Sequence, residues 1–131
     1  MGVRFPSVAS STFIGPLPAS AAETIILTTP PISEPVDNAL VNLFWCANIL
    51  AGTGTTALVF RIRRGATLTG AVVGAGPWTH TLAAAASGIL SWADFDGPGV
   101  VAGQQYTLTI SQTGATGAGT FNDGTLVAMI L

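Results

Sequence analysis

His80, within PWTHTL (77–82), is the single histidine of the chain, Cys46 is its single cysteine, and lysine is absent. A structural zinc site is built from four Cys and His ligands and a Schiff base takes a lysine amine, so this inventory supplies neither. No serine stands in a Gly-x-Ser-x-Gly elbow. Glycoside hydrolysis needs two facing carboxylates, and the spacing of Glu23, Glu34, Asp37, Asp94, Asp96 and Asp123 favours no such pair. GTGTTA (52–57) has the Gly-x-Gly-x-x-Ala spacing of a dinucleotide-binding turn. That turn must open a helix whose amino end meets the pyrophosphate, whereas ALVFRIRR (57–64) follows and reads as a strand. GTGTTA therefore reads as a hairpin turn. The chain is expected to be no enzyme and to carry no cofactor or metal; His80 reads as a structural or interfacial residue and Cys46 as a small buried hydrophobe.

Three sets of residues remain that could bind something. In DFDGPG (94–99), Asp94 and Asp96 stand at alternate positions as in the start of a calcium loop, but the third ligand and the closing glutamate are missing. A turn with solvated or capping carboxylates is the simpler reading, an incidental cation site the sharper one. Arg61, Arg63 and Arg64 form the one charge cluster: either a solvated strand face, or forked donors that meet a carboxylate or backbone carbonyls of another subunit. Trp45 reads as core, while Trp78 and Trp92 lie near loops, where tryptophan anchors an interface or stacks on a sugar.

The elements that must position these residues repeat with period two. Strands are expected at 22–29, 39–50, 56–63, 66–73, 78–85, 87–93, 104–111 and 124–131. Turns are expected at TPPISEP, AGTGT, RRG, GAGP, FDGPGVVAG and TGATGAG, with Asn122-Asp123-Gly124 as a tight turn demanding positive φ. TLAAAASGIL (81–90) could form a helix on alanine propensity, but Thr and Ile flank it and the strand reading is kept. Residues 1–20 are rich in Ser, Pro and Ala without a period, and read as an arm that reaches roughly 65–70 Å if fully extended. The expected fold is all-β: one jelly-roll or β-sandwich domain of about eight strands over 21–131, with an extended N-terminal arm over 1–20.

The 131 residues include 49% hydrophobic and only 8% charged side chains, where a soluble domain usually has about 25% charged. Two strands are apolar on both faces: ALVNLFWCANIL (39–50) and TLVAMIL (125–131). A sandwich strand needs one apolar face, so other chains are expected to cover the second. No apolar run reaches the roughly 18 residues of a spanning helix, and the ten aromatic residues lack the banding of an outer-membrane barrel. A cleaved signal peptide and myristoylation are not expected either, because Ser, Gly and Pro break the early apolar stretch and Pro6 stands where the acceptor motif wants Ser or Thr. A net charge of −2, with Arg4 the one basic residue before position 61, offers no patch for nucleic acid.

RIRRGATLTG (61–70), DGPGVVAGQQYTLTI (96–110) and the closing TLVAMIL (125–131) together resemble the small jelly rolls of phage virion accessory proteins, among them capsid decoration or cement proteins with tumour-necrosis-factor-like trimers. The resemblance spans about 20–131 and implies a homotrimer on the capsid exterior, in contact with the major capsid protein or other virion subunits. It implies an inner sheet and last strand facing a threefold axis and an amino-terminal arm that holds the capsid lattice or an adjacent trimer; on the residues' own spacing the subunit interface is expected to draw on Val41, Leu43, Trp45, Arg61, Arg63, Val127, Met129 and Leu131, and the capsid-contacting arm on Arg4, Phe5, Phe13 and Ile14. It carries no catalytic residue. Two alternatives stay open: a fibre-head or lectin-like module whose surface site uses Trp78, Trp92, Asp94 and Asp96, and the main shell protein of a small virus.

Overall fold

The computed structural model describes residues 7–11, 15–16, 22–32, 36–54, 56–101, 103–113 and 120–130. Alternation carries the chain through β1 (Ser7–Ser11), β2 (Gly15–Pro16), β3 (Thr24–Thr28), β4 (Val36–Leu50), β5 (Thr56–Arg64), β6 (Trp78–Leu82), β7 (Ser87–Val101), β8 (Tyr106–Thr113) and β9 (Thr120–Ile130). One sheet runs β1-β9-β4-β7 with β2 also on β9, and the other runs β3-β8-β5-β6. All pairs are antiparallel. Eight strands in these two orders form a jelly roll, which wraps two Greek keys around one core. There is no helix among the described residues.

Inward positions of both sheets fill that core. Val41, Leu43, Trp45, Ala47 and Ile49 of β4 face Leu58, Phe60 and Ile62 of β5 and Leu108 and Ile110 of β8, with Leu126 and Ala128 of β9 beside them. Trp45 stacks on Phe60, with ring centroids 4.4 Å apart, an arrangement that adds to the area both rings bury. At one end of the sandwich Asp96 of β7 accepts from Arg64 Nε (2.7 Å) and from the Tyr106 hydroxyl (2.9 Å), tying the two sheets together through a buried carboxylate.

Three local expectations fail. Residues 66–73 form no strand: after Gly65 (φ 91°) the chain loops back on β5 through a single bridge, Arg63 to Val72, with Val73 turned into the core. DFDGPGV does not turn but continues β7. Val41 is level with Asp96 and Ala39 with Gly99, so one extra residue near Gly97-Pro98 is taken up as a bulge, a place where a strand tolerates proline. Asn122-Asp123-Gly124 is likewise inside β9, where Asn48 is level with Asp123 and Ile49 with Phe121, leaving Asn122 as the bulged residue. Gly124 has no positive φ. A Cβ there would stand 2.6 Å from Phe121 Cζ and 2.8 Å from the Cys46 carbonyl oxygen, so this glycine allows a close approach rather than a turn. Around TLAAAASGIL the chain crosses from β6 of one sheet to β7 of the other, with Ala85 at φ 56° in the bend.

Of residues 1–20, the described pieces 7–11 and 15–16 lie along the β9 edge of the same chain, with Val8 level with Val127 and Gly15 level with Phe121.

Candidate functional site

The outer faces of the two sheets differ in kind. On the four-stranded sheet, Arg63 forks onto Glu23, with Nε 3.0 Å from Oε1 and Nη2 2.8 Å from Oε2, and its Nη1 donates to the Gly70 carbonyl at 2.7 Å. Arg61 donates to Ser111 Oγ (3.1 Å), Thr109 donates to Glu23, and Thr107 donates to the Gly65 carbonyl. Burial pushes the Glu23 carboxyl up, but the hydrogen bonds from Arg63 and Thr109 and the charges of Arg63 and Arg61 outweigh it, so its pKa lies below the ordinary glutamate value. That face is polar and internally satisfied. Arg64, at the sandwich end, is held protonated by its hydrogen bond to Asp96, and burial followed by the Asp96 charge pushes the Tyr106 phenol upward.

The outer face of the five-stranded sheet has the opposite character. Phe44, 42% exposed, stands at its centre, level with Ala93 on β7 and Val127 on β9. Phe95 (51% exposed) and Met129 flank Asn42 in the next row, and Leu40, Leu50 and Ile89 are exposed around them. Cys46, Asn48, Ser91 and Thr125 complete the alternation. Asp123, level with Asn48, brings an ionic group to one end of this face. Large exposed apolar side chains contiguous over three strands are the mark of a surface that another molecule covers.

A second feature lies between the edge strands β6 and β7. There a cleft of about 270 Å³ is lined by Trp45, Phe60, Trp78, Thr79, His80, Ile89, Leu90, Ser91 and Trp92. Its aromatic rings form a series from core to surface: Trp45 and Trp78 have centroids 6.4 Å apart, Trp78 and Trp92 5.7 Å. Trp78 is buried and Trp92 is 48% exposed. The indole nitrogens of Trp45 and Trp78 are buried without a hydrogen-bond partner, a state that costs about 1–3 kcal/mol per donor while it lasts.

Val41, Leu43 and Trp45, named from the sequence for a subunit interface, pack in the chain's own core. The face of β4 left uncovered carries Leu40, Phe44 and Leu50 instead. Its two asparagines, Asn42 and Asn48, were the sequence signal for which side is outward. Val127 and Met129 lie half-buried on the uncovered face, and Arg61 and Arg63 spend their donors within the chain. Arg4, Phe5, Phe13, Ile14 and Leu131 lie outside the described residues. Asp94 and Asp96 do not converge on a common point: Asp94 accepts from the Ala75 and Phe95 amides (2.5 and 2.7 Å), while Asp96 is held by Arg64 and Tyr106. Trp78 and Trp92 do meet, and His80, exposed beside them, joins the same cleft. Among the described residues no cluster of three or more His, Cys, Asp or Glu could hold a metal, and no helix is long and apolar enough to cross a membrane.

No protein-family model and no curated protein matches the sequence. Solved structures do match in fold. A mutant VP2 protein of infectious bursal disease virus, as derived T=1 particles, superposes with a TM-score of 0.55 at 12% identity, over 95% of this chain and 32% of that one. The Gx strain of infectious bursal disease virus gives 0.53 at 12% identity, over 95% and 33%, and a VP2 subviral particle of the same virus 0.51 at 11%, over 95% and 33%. The chain thus spans about a third of each of these proteins, and at such identity the likeness is one of fold: an all-β sandwich that occurs within virus capsid proteins.

Proposed function

We propose that this chain is a non-enzymatic structural subunit of a virion, a decoration or cement protein that sits on the capsid exterior as a homotrimer. The observation that carries the reading is the outer face of the five-stranded sheet, where Phe44, Phe95, Leu40 and Ile89 stay exposed in a domain with only 8% charged residues. That face packs against other copies of the chain, and the residues before β3, with Arg4, Phe5, Phe13 and Ile14, contact the major capsid protein. The polar face of the other sheet, with its ion pairs closed internally, stays toward water. The described arginines, 61, 63 and 64, are each paired with a carboxylate, which leaves them poorly placed to release counterions from nucleic acid.

The test is the assembly state of the purified full chain by mass photometry, alone and with its shell, between about 0.15 and 1 M salt. Contacts driven by apolar burial persist as screening removes charge pairing, so a trimer and shell binding that survive molar salt are expected. A monomer at micromolar concentration, or release from the shell at high salt with the trimer intact, counts against the reading. The likeness to VP2 structures described as T=1 and subviral particles favours a second reading, the main shell protein of a small virus. Closed particles built by this chain alone would select it.

A further inference from the structure

The aromatic cleft borders the assembly face, sharing Ile89 and Ser91 with it, and opens at the β6–β7 edge where the two sheets part. No charged side chain lines it, so its occupant is neutral. Trp92 leaves about half its surface open, tilted 42° from Trp78, as a platform for an apolar ring face. His80 and Ser91 add polar atoms to the lining, while the unpaired indole N–H groups of Trp45 and Trp78 are buried away from its surface. At about 270 Å³ the space falls just below the roughly 300–1,000 Å³ of sites for drug-sized ligands, room for one small ring.

We infer that this cleft binds one neutral pyranose ring of a saccharide. A pyranose brings C–H faces that stack on the open Trp92 indole and hydroxyl groups that hydrogen-bond to the polar side chains of the lining, Thr79, His80 and Ser91. A purely aliphatic occupant would fill the space and make no use of those polar side chains. A carboxylate or phosphate would find no arginine or lysine among the lining residues.

The experiment titrates the full chain, in its native assembly state, with the methyl glycosides of glucose, galactose, mannose and N-acetylglucosamine and with their short homo-oligomers. Tryptophan fluorescence and calorimetry read binding. At least one probe should bind saturably, with Trp92→Ala weakening it tenfold or more and Trp92→Phe restoring much of the loss. Trp92 is half exposed, so truncation should leave the melting temperature near wild type; His80→Ala gives a second lesion in the same lining. No saturable binding across the panel, or binding indifferent to both lesions, overturns the inference. Dissociation of the assembly by Trp92→Ala, with no saccharide bound by wild type, would make the cleft a subunit contact and overturn it too. The assembly measurement on wild type reads the proposed virion role independently of either result.

Discussion

Phe44→Asp puts one charge at the centre of the uncovered face. A Phe side chain offers roughly 200 Å², and with 42% of it exposed in the lone chain, about 80 Å² is left for a partner to cover. At about 25 cal/mol per Å² that contact contributes about 2 kcal/mol per copy, or roughly thirtyfold in association. Aspartate loses this contribution and adds the cost of desolvating a carboxylate with no cation beside it, since its cross-strand neighbours are Ala93 and Val127. The association midpoint should therefore move upward by at least about thirtyfold. The covered part of the ring packs on its own sheet, so the variant should also melt several degrees lower, and association is to be read well below that melting point. Sedimentation velocity over a concentration series from nanomolar to about 50 μM gives the midpoint, and circular dichroism confirms the fold. A folded variant that assembles with a midpoint within about threefold of wild type would refute the assignment of this face.

The remaining predictions concern the scaffold. Asp96→Asn removes the negative charge and replaces one of the two carboxylate oxygens that hold Arg64 and Tyr106 with an NH2 donor, and should cost about 2–3 kcal/mol in urea unfolding; this is less than the 3–5 kcal/mol for breaking a fully buried pair, because 40% of the Arg64 side chain is in water. A loss below about 0.5 kcal/mol would mean the latch holds nothing. Glu23 has a folded pKa below its ordinary 4.5, so its stabilising contribution is complete above that value and is lost as pH falls through the folded one. Melting temperature should drop in wild type as acid is added below about pH 4.5, more steeply than in Glu23→Gln, and parallel curves would refute the linkage. Gly124→Ala forces a Cβ against the Cys46 carbonyl and the Phe121 ring and should cost about 1–3 kcal/mol; a neutral result would show that β9 can shift freely.

Strand alternation was legible wherever one face was apolar and the other was not. In β5, Leu58, Phe60 and Ile62 alternate with Arg61 and Arg63, and the structure buries the first set. In β4 both faces carry large apolar residues, so periodicity found the strand and only Asn42 and Asn48 marked the outward side; the opposite side packs inward, with Trp45 stacked on Phe60. Gly97-Pro98 and Asn122-Asp123-Gly124 carry turn chemistry, yet both lie in strands whose neighbours on β4 pair across them and absorb one extra residue as a bulge. Local preference lost there to pairing with the long strand β4. The cleft was half legible. Trp78, His80 and Leu82 alternate onto one side of β6, but the approach of Trp92 depends on the way the roll closes, which no local spacing encodes.

The low charge of this chain is partitioned rather than spread thin. The three arginines described, with Glu23 and Asp96, close on one another across the four-stranded sheet and the sandwich end, and Asp94 is spent on backbone amides. These pairings satisfy one sheet and leave the other with almost no ionic group, so the tendency to associate is one-sided. One-sided association has a geometric consequence. A self-complementary patch closes a dimer, and one face whose two halves meet about a symmetry axis closes a small ring, whereas a filament needs complementary surfaces whose repeat does not close. On the proposed reading the chain should therefore stop at a closed oligomer when concentrated alone. Open fibres under the electron microscope at high concentration would mean that a second sticky surface exists, and the β6–β7 edge would be the first place to look for it.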